Sequence, residues 1–164
     1  MKCEESRAAA VAAWSAYVDD LSAQLAAAQG AVKSGHSTLR GSIEPRMAEQ
    51  ATKLADQRYI PGTEGWSRGR GVVLLELCQK DPECTKVKHD IAEGENAVRD
   101  LSERLPPAKA ARDALEGKAS GATTAASQAI VDPDRPALKV AQAASAATQE
   151  ACAEWTPPAG ESTP

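Results

Sequence analysis

The stretch over residues 10–34, AVAAWSAYVDDLSAQLAAAQGAVKS, decides the fold class of this chain. Apolar residues recur in it at alternating spacings of three and four, namely Val11, Trp14, Val18, Leu21, Leu25, Ala28 and Val32. This spacing is the a/d pattern of a coiled-coil-like heptad seam. It predicts a first helix over residues 4 to about 34, which begins with two acids in its first turn and ends at the SGH sequence of residues 34–36.

The composition supports the same fold class. About one residue in five is alanine, and the chain contains no phenylalanine. Alanine is the strongest helix former and contributes little side-chain volume, so the core must come from close approach of helices. Strict polar/apolar alternation, which indicates half-buried strands, is absent. We therefore predict an all-α fold.

Further helices follow from local signals along the chain. Pro45 is acceptable in the first turn of a helix over residues 44–58, and Asp81-Pro82-Glu83 is an N-cap acid followed by proline and a second acid. The helix after Pro82 continues the heptad seam, and a last helix over residues 136–155 carries a seam of mostly small residues. The segment VVLLELC, residues 72–78, is either a short buried helix or a strand, and periodicity leaves both open.

Several interruptions divide these helices. Glycine and proline in YIPGTEGWSRGRG predict a loop over residues 59–71, and Pro106-Pro107 predicts a break or kink with Pro107 starting a new helix. Residues 116–132 read as weakly structured, and residues 156–164 as a disordered Pro-rich tail. The prediction is one domain over residues 1–155, an antiparallel bundle with a four-helix core, coiled-coil-like seams and a short extra helix.

The four cysteines predict two disulfide staples. Cys78 and Cys84 lie on either side of the Asp81-Pro82 helix start, which suits a locked corner between helices. Cys3 and Cys152 lie at opposite ends of the chain, which meet at one pole of a bundle with an even number of long helices. The alternatives are a zinc cluster of Cys78, Cys84 and His89, a redox pair, or four buried thiols. We expect the disulfides Cys78–Cys84 and Cys3–Cys152, with no metal.

Two disulfides favour an oxidising compartment. We therefore expect a periplasmic or otherwise extracytoplasmic protein, and a cytoplasmic one only if the cysteines are reduced. Met1-Lys2 would then replace an export signal. The Ala-rich composition is similar to that of small exported proteins of high-GC bacteria, a likeness that names no family. No apolar run approaches the ~18 residues of a membrane span, so we expect no transmembrane segment here, and a lipid anchor or tether would lie outside this chain.

Patterns of catalysis and of nucleic-acid binding are missing from the sequence. It has no GxSxG or SxxK nucleophile motif, no phosphate-binding GxxxxGK[ST] loop and no HExxH. The net charge is −4, with no block of lysine or arginine, so a nucleic-acid partner is not expected. The best candidate site is the set Trp66, Arg68 and Arg70, which could bind an anion or a protein partner. The alternative is a connecting loop in which Trp66 covers the end of the bundle and the arginines pair with helix acids.

These observations predict a non-enzymatic helical-bundle protein without cofactors. It would act as a protein-binding or structural component of a bacterial cell envelope, as the soluble part of a lipoprotein for example. Its partner would be another envelope protein or a second copy of itself. A ligand-sensing domain of a receptor is the alternative function, and an enzyme with an unrecognised site is a third hypothesis.

Overall fold

The computed structural model describes residues 2–117, 130–132 and 135–153, and within them the predicted all-α fold is confirmed, because no strand occurs there. The helices are α1 (Lys2–Thr38), a π-helical turn (Leu39–Ile43), α2 (Glu44–Arg58), α3 (Glu64–Lys80), α4 (Pro82–Leu115) and α5 (Pro136–Ala153). Across these described ranges, none of the helices combines the length and apolar character that crossing a membrane requires.

Helix α1 does not end at the SGH sequence, so that prediction is wrong. It continues to Thr38 and passes through the π-helical turn into α2, with right-handed helical backbone at both Thr38 and Glu44. Gly35 makes room for α4 instead of ending the helix, since a Cβ there would lie 2.6 Å from Cγ1 of Ile91. The close packing of the two helices outweighs the low helix propensity of glycine.

Helices α2 and α3 pack antiparallel. Helix α2 has the predicted bounds and ends at Arg58, which is followed by Tyr59 with an extended backbone. The predicted loop over residues 59–71 is wrong from residue 64 onwards, because Thr63 caps α3 by accepting the backbone N–H of Trp66 over 3.2 Å. Gly69 is helical and leaves space for a ring, since a Cβ there would lie 2.2 Å from Cε2 of Tyr59. The open choice for residues 72–78 is resolved as helix.

Helix α4 runs without interruption through both prolines. The prediction that Pro107 starts a new helix is therefore wrong. Pro106 and Pro107 have no N–H group to bond to the carbonyls of Ser102 and Glu103. All four residues are exposed, so water can donate to these two carbonyls instead. The helix ends in a turn at Gly117, which has a positive φ of 75°, as expected of a C-terminal capping glycine.

The structure describes only part of the C-terminal region for which the sequence makes predictions. Helix α5 starts at Pro136 as predicted, and the backbone N–H of Arg135 just before it donates to the carbonyl of Asp132. Most of the segment predicted as weakly structured, residues 118–129, lies outside the described residues. So do residues 154–155 at the predicted helix end, and the tail.

By density of contacts, the chain divides into two compact units, Met1–Gln24 with Asp100–Pro164, and Leu25–Arg99. The core of the first unit includes one buried set from α1 (Ala10, Trp14, Tyr17, Val18, Leu21) and another from α5 (Leu138, Ala141, Ser145, Thr148). The core of the second contains Ile43, Met47, Cys78 and Cys84, with Leu39, Leu74, Leu77 and Val87 packed against them. The single domain over residues 1–155 stays a prediction.

Candidate functional site

The three residues predicted as a candidate site lie in the first two turns of α3, and the structure does not bring them to a common point. Trp66 donates its indole N–H to Asp56 over 2.9 Å. Arg68 pairs with Glu64 over 2.8 Å, and Arg70 donates to the hydroxyl of Thr52 over 3.1 Å.

Trp66 and Arg70 therefore fasten α3 to α2, and Arg68 pairs within its own helix. Of the alternative interpretation, in which the tryptophan covers the bundle end and the arginines pair with helix acids, the pairing occurs for Arg68, whereas Arg70 bonds to a threonine hydroxyl. Whether they also bind an anion or a partner stays a prediction.

The corner between α3 and α4 is fixed by a disulfide and a helix cap. The sulfurs of Cys78 and Cys84 lie 2.05 Å apart, with 5.2 Å between the Cα atoms. Asp81 is the N-cap of α4, as predicted, and accepts the backbone N–H of Cys84 over 3.1 Å. That hydrogen bond, together with the Arg46 guanidinium 2.8 Å away, holds the pKa of Asp81 below its usual range. The corner is thus tied to α2 as well.

The second disulfide joins the two ends of the first unit. Cys3 in α1 and Cys152 in α5 are bonded, with 4.8 Å between the Cα atoms and 149 residues of separation. One turn before Cys152, Thr148 donates its hydroxyl to the carbonyl of Ser6 over 2.9 Å. The structure therefore brings together the same two cysteine pairs that the sequence predicts.

Cysteine and histidine do not form a metal site. His89 pairs with Glu93 over 3.2 Å, while the two nearby cysteine sulfurs are bonded to each other. Within residues 2–117, 130–132 and 135–153, no group of three or more His, Cys, Asp or Glu side chains could hold a metal ion.

An apolar cleft opens beside the Cys78–Cys84 disulfide, within the second unit. Its volume is about 140 Å³. Three walls form it: the π-helical turn with the start of α2, one side of α3, and the start of α4. We call it the α3 cleft, and it is lined by Leu39, Ile43, Glu44, Met47, Gly71, Leu74, Leu75, Cys78, Cys84 and Lys88.

The rim of the α3 cleft exposes apolar surface. Leu75, which lines the cleft, is 54% exposed, and Val72, three residues earlier on α3, is 49% exposed. A second depression of about 280 Å³ adjoins the cleft and shares Leu75, Cys78 and Lys88 with it. Large apolar side chains left in water at the edge of a concave apolar surface are typical of a binding site for another molecule.

Two opposite charges flank this apolar surface. Glu44 comes from the α2 wall and Lys88 from the α4 wall. Within the part of the chain that the structure describes, neither forms an ion pair, although the neighbouring Lys86 pairs with Asp90 and the nearby Arg46 pairs with Glu83. The cleft thus offers apolar contact, one anion and one cation.

A buried polar cluster in the first unit has a different character. The carboxylate of Asp132 is 1% exposed and accepts the hydroxyl of Tyr17 over 3.1 Å. Arg104 and Arg135 lie 3.1 and 2.9 Å from its two oxygens, and Arg135 also pairs with Asp20. Burial, and next the negative charge of Asp132, raise the pKa of Tyr17 to about 12.

Each charge in this cluster has an oppositely charged neighbour within 3.1 Å, although Asp132 Oδ1 and Arg135 Nε make no hydrogen bond among the described residues. Its effect is to fasten the segment before α5 to α1 and α4. We therefore treat it as structural, and take the α3 cleft as the candidate functional site.

Sequence reasoning missed the α3 cleft. Leu75 belongs to the VVLLELC run, which signals burial as a whole and does not indicate which leucine is left outside. Leu39 and Ile43 lie where the sequence predicts a connection after the first helix. The signal that could have found them is the continuous helical pattern from Ser34 into residue 44, which the glycines obscure.

Comparison with known proteins adds no functional information. No protein-family model, no curated protein and no solved structure matches this chain.

Proposed function

We propose that this protein is a non-enzymatic, disulfide-stapled helical bundle of the bacterial cell envelope, and that it binds another protein chain through the α3 cleft. The observation that carries the proposal is the exposed Leu75, which lines that cleft, together with the exposed Val72 three residues earlier on α3. Burying these side chains against a partner would remove apolar area from water, at roughly 25 cal/mol per Å².

The bundle arrangement and the heptad seams are part of the proposal. In their support, Trp14, Val18 and Leu21 of the predicted first seam are buried at spacings of four and three. Leu138, Ala141, Ser145 and Thr148 of the last predicted seam are buried as well. Helices with such stripes pack side by side in bundles.

The extracytoplasmic location is supported by the pairing of all four cysteines. Disulfides persist in secreted and periplasmic proteins, whereas cytosolic thiols are kept reduced. The sequence also suggests a ligand-sensing domain, for which a pocket beside Trp66, Arg68 and Arg70 would be the support. These side chains bond to Asp56, Glu64 and Thr52 instead, which favours the protein-binding function.

Two measurements on the protein in the cells that encode it test this proposal. Intact mass before and after reduction, each with thiol alkylation, should show two disulfides and no free thiol in the cell-envelope fraction. Free thiols on all four cysteines would contradict the location.

The binding surface is tested with a photo-crosslinking amino acid in place of Leu75. We expect an adduct with a defined protein chain, identified by its peptide masses. The same crosslinker in place of Val140, which is 61% exposed on α5, should give none. If the Leu75 position forms no adduct with any protein chain, the proposed function fails.

A further inference from the structure

We infer that the partner of the α3 cleft is a second copy of this chain. Leu75 of each copy enters the cleft of the other, and Lys88 of each faces Glu44 of the other. This inference rests on the proposed function, because it names the protein chain that the cleft binds. Three features of the cleft lead to it.

First, the exposed side chain of Leu75 (the knob) and the α3 cleft (the hole) lie on the same face of the second unit. Leu75 projects at the rim with 54% of its surface exposed, and it also lines both the cleft and the adjoining depression. A surface that carries its own knob beside its own hole can pair with itself around a two-fold axis, as isologous interfaces do. A surface shaped for a different protein has no need to carry both.

Second, the size of the hole fits the knob. The cleft of about 140 Å³ is close to the ~150 Å³ apolar cavity that accepts benzene in a protein interior. A leucine side chain has four carbon atoms and benzene has six, so Leu75 of a partner fits without enlarging the cleft. Val72, one turn earlier on α3 and 49% exposed, would lie at the edge of the contact.

Third, the charges are self-complementary. Glu44 and Lys88 stand on two different walls, and neither has an ion-pair partner among the described residues. An acidic ligand would satisfy Lys88 and leave a repulsive Glu44, and a basic ligand would do the reverse. A second copy related by a two-fold axis satisfies both, because it brings a lysine to each glutamate. Such complementarity also selects against other partners.

Covalent and polar links join the walls of this surface within one chain. The Cys78–Cys84 disulfide and the Asp81 cap fix the corner between α3 and α4, and Arg46 ties that corner to α2. Helices α2, α3 and α4, which all contribute to the walls of the cleft, are therefore linked to one another in the single chain. A preorganised surface loses less conformational entropy on association than a mobile one.

Sedimentation equilibrium of the full chain with both disulfides intact, from ~1 µM to ~1 mM, tests the inference. We expect a reversible monomer–dimer equilibrium. Leu75→Glu should weaken dimerisation by at least about thirtyfold, as expected for a hot-spot residue that contributes at both halves of the interface. Val140→Glu, an equally polar change at an exposed valine of α5, should leave the equilibrium unchanged. Circular dichroism should show the same helix content for both variants.

A charge-exchange experiment separates the proposed pairing from a general loss of apolar contact. Lys88→Glu and Glu44→Lys should each reduce self-association, because each variant brings like charges together across the two-fold axis. An equimolar mixture of the two variants should associate again, as a heterodimer in which each Glu–Lys contact is restored. Lys139→Glu on α5 is the matched charge control and should have no effect.

The outcomes distinguish this inference from the proposed function. A wild-type chain that stays monomeric to ~1 mM, or a dimer that tolerates Leu75→Glu, overturns the inference. So does a mixture of the charge variants that fails to associate. In each of these cases an adduct between the Leu75 crosslinker and a different protein chain would still support the protein-binding function, with another partner.

Discussion

Gly35 of α1 faces Ile91 of α4 so closely that a Cβ on residue 35 would lie 2.6 Å from Cγ1 of the isoleucine. The reverse relationship occurs at Gly94 of α4, where a Cβ would lie 2.7 Å from Cγ2 of Val32 in α1. Each helix thus places a β-branched side chain over a glycine of the other. Within the second unit, this reciprocal contact lets the two backbones approach closely.

Gly94→Ala should therefore destabilise the protein. The new methyl group would displace Val32, whose χ1 angle is stiff, and the carbonyl oxygen of Ala28 is 3.7 Å away. Overpacking of this kind costs about 1–3 kcal/mol, which outweighs the ~1 kcal/mol gained from the helix propensity of alanine. Urea denaturation followed by circular dichroism would measure the change in free energy of unfolding.

Gly30→Ala is the matched control for Gly94→Ala. It lies in the interior of α1, and a Cβ there would meet nothing within 4 Å. It should stabilise the protein by about 0.5–1 kcal/mol. If both alanine variants shift the free energy of unfolding in the same direction, the close-approach explanation of Gly94 is wrong.

The two disulfides should contribute unequally to stability. Replacing Cys3 and Cys152 with alanine reopens a loop of 149 residues, and on chain entropy should cost about 4–5 kcal/mol. Replacing Cys78 and Cys84 with alanine reopens a separation of only 6 residues, for which the same relation gives about 2 kcal/mol.

Urea denaturation of the two double variants beside the wild type would compare these costs. Burial works against the predicted order. Cys78 and Cys84 are the more deeply buried pair, so replacing them also removes packed sulfur and adds to their cost. A larger loss from the Cys78/Cys84 variant than from the Cys3/Cys152 variant would contradict the prediction.

The features that were predictable from sequence are those with local causes. Asp81 caps α4 and Pro45 lies in the first turn of α2, because capping and the geometry of proline depend only on neighbouring residues. The cysteine pairs followed from their positions relative to the helix ends. The all-α class followed from the composition and the spacing of apolar residues.

The errors have remote causes. Whether a glycine ends a helix or makes room for a neighbour depends on the residue that faces it, and Ile91 lies 56 positions after Gly35 in the chain. The exposure of Leu75 likewise depends on which part of α3 is left uncovered by α2 and α4. Neither relationship is contained in the local sequence, so the α3 cleft could not be predicted from it.

A buried hydrogen bond between α1 and α5 gives the next prediction. Trp14 donates its indole N–H to the hydroxyl of Ser145 over 2.7 Å, and both residues are buried. Ser145→Ala would leave the N–H without an acceptor and out of reach of water, at a cost of about 1–3 kcal/mol in the free energy of unfolding.

Gln149→Ala, an exposed change on the same helix, should alter the free energy of unfolding by no more than about 0.5 kcal/mol. Urea denaturation of the two variants side by side is the measurement. A loss from Ser145→Ala no larger than that from Gln149→Ala would show that the indole finds another acceptor.

The Tyr17–Asp132 contact predicts a loss of stability at alkaline pH. The pKa of Tyr17 is raised from its ordinary value of 10.0 to about 12, by burial and then by the charge of Asp132. Because the folded protein holds the phenol proton more tightly than the unfolded chain, the stabilising contribution is fully present below pH ~10. It should be lost as the pH rises towards 12, by on the order of 2 kcal/mol in total.

Tyr17→Phe isolates this effect from the titration of lysines and other groups. The variant has no phenol proton at this position, so the difference in free energy of unfolding between wild type and variant should be constant up to pH ~10 and shrink between pH ~10 and ~12. Absorbance at ~295 nm should show the phenolate of Tyr17 appearing over the same interval. All four cysteines are paired, so no free thiol is present to start disulfide exchange at these pH values. A difference between the two proteins that stays constant through pH ~12 would mean that the pKa of Tyr17 is not raised in the folded state.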